Sequence, residues 1–213
     1  MSTFRKIEYT CSVCGEKTGF NVLMSTNSFG SPDLDLRPPE MQRSTMWLWV
    51  QKCPHCNYVN TNISEETYLD KEYFSSFEYL SCESLNMPNE LADKFYKLYM
   101  IKRESGNYDA AYSALLRCAW VCDDCGKKEL SCLMRKKMVE IYDKLSRRVT
   151  RNESSVAQFA DVLRRCGMFD AVIEKFANYE GKDEVVGKVI KFQVELAKNK
   201  DDKVYTVRDA LKD

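Results

Sequence analysis

Histidine is almost missing from this chain: His55 is the only one. That excludes a Cys–His or Ser–His–Asp nucleophilic set built anywhere except around His55 itself. No Gly-rich phosphate loop, nucleotide motif or paired-carboxylate pattern occurs either. With no acid–base set in view, the expectation is a protein that is not an enzyme. No apolar run approaches the length of a membrane span. Met1-Ser2-Thr3-Phe4-Arg5-Lys6 is not followed by the apolar core of a signal peptide, so a cytoplasmic protein with no membrane partner is expected. An excess of one charge is also lacking. Lys plus Arg and Asp plus Glu each number 32, which removes a global electrostatic pull toward nucleic acid or membrane.

Cysteine, by contrast, is plentiful, with ten residues in 213. A reducing compartment argues against a disulfide scaffold. Four of the ten form two matched pairs, Cys11-Ser12-Val13-Cys14-Gly15 and Cys53-Pro54-His55-Cys56-Asn57. Each pair is followed by a residue that tolerates positive φ, so the backbone can curl and aim amide N–H groups at sulfur. Cys11, Cys14, Cys53 and Cys56 together offer the tetrahedral thiolate set of one structural Zn²⁺. Such a shell has no open position for chemistry. Its work is folding, worth on the order of 10–16 kcal/mol in small zinc modules. His55 lies inside the second pair and is expected to point outward.

Cys82, Cys118, Cys122, Cys125, Cys132 and Cys166 fall in helical or turn contexts, where cysteine commonly serves as a small buried apolar residue. Cys122-Asp123-Asp124-Cys125-Gly126 is a third pair. It lacks a partner pair, so packing rather than a second metal is expected.

Residues 4–10 and 18–24 read as strands around the first pair, and 46–52 as a strand into the second. That is the plan of a zinc ribbon. The intervening 25–45 segment, with three prolines and many small polar residues, reads as a mobile loop. Residues 63–88 form an aromatic connector carrying Tyr68, Tyr73, Phe74, Phe77, Tyr79 and Leu80, expected to pack the ribbon onto the helical part. From Asn89 onward apolar residues recur at helical spacing. Helices are expected to about 105, then from 108, and over 127–148, 154–165, 168–179 and 183–198.

Gly106-Asn107-Tyr108-Asp109-Ala110-Ala111 recurs as Gly167-Met168-Phe169-Asp170-Ala171-Val172, each between two helices. Gly permits the turn, the aromatic plugs the elbow, and Asp meets the next helix near its N-terminal dipole. This unit resembles the helical hairpin of tetratricopeptide repeats. Phe95, Leu98, Ala111, Leu115 and Cys118 match that family's packing slots in one hairpin. Val156, Phe159, Ala160, Leu163 and Phe176 match them in another. Tyr99, Lys102 and Tyr179 depart from the pattern, and the 61-residue offset between the two turns is not a multiple of the period of roughly 34 residues. The resemblance implies a degenerate array whose groove is faced by Asp93, Tyr96, Met100 and Arg103, a mixture suited to an interface.

The expected fold class is therefore α+β and mostly α. A small β zinc ribbon spans 1–62 with the inserted loop 25–45, the connector spans 63–88, and tetratricopeptide-like helices span 89–213. As a whole the chain resembles a family of bacterial proteins that pair a Cys₄ ribbon with such helices and have no established activity. The resemblance implies architecture and zinc binding. The leading expectation is a non-catalytic adaptor for an unknown protein or peptide. The alternative is a nucleic-acid-associated regulator using the ribbon and a basic run, Arg135, Lys136, Lys137, Lys144, Arg147, Arg148 and Arg151, on the polar face of the third helix.

Overall fold

A computed structural model describes residues 1–80 and 85–212, leaving Cys82 outside the described residues. The fold is α+β and mostly α. Strands β1 (Thr3–Thr10) and β2 (Lys17–Ser25) form an antiparallel hairpin in which Thr10 faces Lys17 and Phe4 faces Leu23. A shorter pair, β3 (Gln51–Lys52) and β4 (Val59–Asn60), frames the second cysteine pair. The strand expected over 46–52 is mostly absent: Arg43–Leu48 is a 3-10 helix. Thr45 is the reason. Its Oγ1 donates back to the Gln42 carbonyl and accepts from Trp49 Nε1 at 3.1 Å, bonds that curl the backbone locally.

The connector holds a 3-10 turn, Lys71–Ser75, and α1 (Phe77–Leu80). Phe74 and Tyr79 are buried and meet Tyr58 and Tyr73 edge-on or tilted. Tyr79 Oη donates to the Asn57 carbonyl at 2.8 Å, tying the connector to the second pair's turn. Tyr68 and Phe77 stay exposed.

The helical part comprises α2 (Glu90–Glu104), α3 (Tyr108–Asp124), α4 (Lys128–Glu140), α5 (Arg147–Thr150), α6 (Glu153–Arg165), α7 (Phe169–Phe176), α8 (Glu184–Lys198) and α9 (Val207–Ala210). The helix α2 packs on α3, α3 on α4 and α7 on α8, and α6 bridges α4 to α8. Asn89, Asn107, Asn152 and Asp183 cap α2, α3, α6 and α8 through side-chain oxygens. Gly106, Gly126 and Gly167 follow α2, α3 and α6 at φ of 70°, 66° and 79°. At each one, the next residue's N–H reaches the carbonyl five positions back, as from Asn107 to Lys102 at 2.8 Å. Such left-handed closures satisfy carbonyls the helix leaves open.

The helix expected over 127–148 stops at Glu140. Tyr142 leaves the helical path to stack on Phe159, with ring centroids 3.5 Å apart, and Ser146 donates from N and Oγ to Asp109. Tertiary contacts override the periodic signal there.

The inserted loop is the largest departure from expectation. Asp33, Leu34, Asp35 and Arg37 are buried. They form a tight turn closed by Leu36 N–H to the Asp33 carbonyl and Asp33 N–H to the Arg37 carbonyl. Its tip enters a pocket between α3, α4 and α6. The Asp35 carboxylate, 1% exposed, accepts from Trp120 Nε1 at 2.7 Å and Arg135 Nη2 at 3.3 Å. Gln158 Nε2 donates to the Asp35 carbonyl at 2.8 Å. Arg37 pairs with Asp124 through two N–H groups. The C-terminal segment closes the other side, where Leu34 N–H meets the Tyr205 carbonyl and Val207 N–H meets that of Pro32, both at 2.9 Å. Asp123 completes the ion cluster, bonded to Arg135 at 2.9 Å and Arg165 at 3.0 Å.

Asp35→Ala leaves Arg135 buried without half its charge partners. It is expected to lower unfolding free energy by about 3–5 kcal/mol in urea titration. A loss below about 1 kcal/mol would place the turn among ordinary surface loops.

Asp123 supplies a pH signature. Burial raises its carboxyl, but Arg135 and Arg165 outweigh burial and hold it below the usual 3.8. The unfolded state therefore takes up the proton first as pH falls. The contribution is complete above about pH 5 and is lost as pH drops through the folded value. The stability gap between wild type and Asp123→Asn should shrink on acidification below about pH 4. A gap independent of pH would contradict the charge pairing.

Candidate metal centre

The two cysteine pairs fold into the same turn twice. Gly15 N–H donates to the Cys11 carbonyl at 2.9 Å, and Asn57 N–H to that of Cys53 at 3.1 Å. Gly15 and Asn57 take φ of 76° and 64°, the left-handed region that glycine and asparagine enter most readily. Cys11 N–H meets the Glu16 carbonyl and Cys53 N–H meets the Tyr58 carbonyl, closing each knuckle against its own hairpin.

The knuckles face each other. Cys11 Sγ lies 3.7 Å from Cys56 Sγ, and Cys14 Sγ lies 3.6 Å from Cys53 Sγ. All four sulfurs lie within 4.8 Å of one another. A regular tetrahedron with metal–sulfur bonds of about 2.3 Å has edges of about 3.8 Å. The four residues thus fit a tetrahedral metal ion. Burial pushes the Cys53 and Cys56 thiols up. At Cys14 burial also acts upward, but hydrogen bonds from the Glu16 amide and the neighbouring sulfurs turn the net shift downward. A divalent cation in this site would take all four cysteines as thiolates.

Residues 60–65 strap the two knuckles together. Ser12 N–H donates to the Ile63 carbonyl at 2.9 Å, and Ser64 Oγ to the Thr10 carbonyl at 2.8 Å. Buried Gln51 accepts from Ile63 N–H at 3.0 Å, and buried Asn60 donates to Tyr58 Oη at 2.8 Å. The cysteine spacing does not disclose this strap. Its sequence trace is the run of short polar residues after Val59, each able to bond backbone.

His55 is exposed at the knuckle tip and is no part of the sulfur cluster. Among the described residues no second group of this kind gathers. Cys118 is buried and donates to the Ala92 carbonyl at 3.4 Å, Cys122 is buried, and Cys125 is exposed beside Asn89. Cys132 donates to the Cys166 carbonyl at 3.5 Å.

Two sequence expectations need correction. Asp93, Tyr96, Met100 and Arg103 do not line an open groove. Tyr96 is 8% and Met100 5% exposed, because α2 is sandwiched between α3 and the β4 side of the ribbon. Asp93 is spent on the buried Lys97 ammonium at 3.0 Å, and Arg103 pairs with Glu104 and Glu78 over the Tyr99 ring. The basic run is also broken. Arg135 is fully buried in the ion cluster, while Lys136, Lys144, Arg147, Arg148 and Arg151 remain at least partly exposed. No helix among the described residues is long and apolar enough to cross a membrane.

No protein-family model matches this chain, and no curated protein or solved structure is detectably similar to it.

The double variant Cys122→Ser/Cys125→Ser is expected to keep its full metal content by elemental analysis. Loss of half or more would move a ligand to the end of α3.

Proposed function

We propose that this chain is a non-catalytic interaction protein, with a structural zinc ion holding a recognition ribbon against a helical array. The closed four-sulfur set supports the structural role of the metal, since Cys₄ zinc carries no site for substrate. The observation that carries the interaction reading is an exposed aromatic pair formed between strand β1 and the 3-10 helix Arg43–Leu48. Phe4 is 55% and Trp47 49% exposed, packed edge to face at 5.9 Å. Met24, near the same open end of the β1–β2 hairpin, is also exposed. Large apolar side chains held together in water are what an anchoring contact to another protein needs.

The metal reading is tested by content. Protein purified without added metal should carry close to one zinc per chain. Cys53→Ser should lose it, with loss of the near-UV signal of the ribbon and retention of most helical circular dichroism. A metal-free protein whose β1–β2 hairpin is folded would remove zinc from the account.

The interaction reading is tested by affinity capture from the native host with wild type and Phe4→Ala/Trp47→Ala. The variant should keep thermal stability and lose the partner. Equal recovery would refute the aromatic contact. Recovery of nucleic acid that collapses steeply with added salt would point to the exposed cations of 136–151 instead.

A further inference from the structure

The pocket that holds the 33–37 turn has the chemistry of a recognition site, distinct from the Phe4–Trp47 face. One carboxylate is read by an indole N–H and a guanidinium, and the carbonyl of the same residue by the Gln158 amide. Leu34 is buried beside them. These are side chains of α3, α4 and α6 closing on a short segment that reaches them from 85 to 123 positions away in sequence.

The turn does not fill its surroundings. An apolar cavity of about 160 Å³ lies beside it, lined by Leu34, Leu36, Ala157, Val186, Val189 and Val207. A second cavity of about 330 Å³ opens near the ion cluster, reaching Asp123, Ser131, Arg165 and Lys203. Leu36 sits at φ of 66°, a left-handed conformation uncommon for leucine, and is partly exposed. The segment thus buries Asp33, Leu34, Asp35 and Arg37 and leaves Leu36 exposed beside the apolar cavity.

We propose that the pocket between α3, α4 and α6 binds an acidic peptide segment of a partner protein, and that residues 33–37 are its built-in occupant. The partner segment presents an Asp or Glu to Trp120 and Arg135, with an aliphatic residue next to it for the valine-lined cavity. It replaces Asp35 rather than joining it, because Arg135 and Arg165 are already balanced by Asp35 and Asp123. The proposal rests on the interaction reading but uses a separate surface, so each can fail while the other stands.

The test uses the full chain with Leu34→Gly/Asp35→Gly, which removes both inserted side chains. The probe is a fluorescent cyclised peptide of residues 31–39. It should bind this variant saturably and bind wild type at least about tenfold more weakly, since wild type carries its own occupant. The same peptide with Asp35→Asn should lose at least about tenfold, as expected for a desolvated charge contact. If the variant lacks a cooperative thermal transition, adding the Asp peptide should restore one and the Asn peptide should not. Equal affinity of the two peptides, or neither binding nor rescue, overturns the proposal. Loss of peptide binding would leave partner capture through Phe4 and Trp47 unaffected, and the converse also holds.

Discussion

The Asp35 carboxylate, buried between Trp120 and Arg135, ties the two halves of the molecule into one. A guanidinium with no exposure is tolerable only if opposite charge and hydrogen-bond acceptors surround it. The helices supply Ser131 and Asp123 from their own sequence, but Asp123 must also serve Arg165. The second acid comes from the loop between the knuckles. The helical array is therefore incomplete without a segment that belongs, in sequence, to the ribbon. The ribbon and the helices are two units in composition and one in energetics.

The cysteine cluster and this turn are linked through the chain. Closing Cys14 against Cys53 shortens the freedom of everything between them, including residues 33–37. Loop-closure entropy lost at the cysteine cluster is entropy the turn need not lose when it docks. The C-terminal segment works from the other side. Thr206 and Asp209 form a capping box on α9, and the bridge from Thr206 to Asp33 carries that order into the turn. Three weak elements, a small ribbon closed at its cysteine cluster, a proline-rich loop and a short terminal helix, thus hold one another in place.

Much of this is legible in the sequence where causes are local. The knuckles need only two cysteines and a residue tolerant of positive φ, all within five positions. Helices with alternating faces are marked by their period, and Gly106 and Gly167 mark their ends. The inserted loop reads as mobile because prolines and small polar residues describe a flexible segment until distant partners are known. One trace of its burial is present. Ser131, Met134, Arg135 and Met138 occupy one helical stripe, so an arginine lies on an apolar face and requires a buried acid. Ala157, Ala160, Asp161 and Arg164 repeat the pattern, and there the acid is local, with Asp161 bonded to Arg164 at 2.5 Å. For α4 the acid is remote, and the stripe alone does not name it.

The misplacement of the expected groove has the same origin. Phe95, Tyr96, Leu98, Tyr99, Met100 and Ile101 leave α2 with almost no polar face along two turns, and a helix apolar all round is covered all round. Treating Tyr96 and Met100 as a binding surface requires that stretch to stay uncovered, yet both side chains are buried. The covering of α2 moves the question of recognition to places where polar groups are poised rather than merely present. On the ribbon, Phe4 and Trp47 are exposed although each has a partner ring to pack on. In the α3–α4–α6 pocket, the polar groups are satisfied only because the chain bends its own acid into them. That pocket needs an acid for its charge balance, and the chain's own Asp35 supplies it.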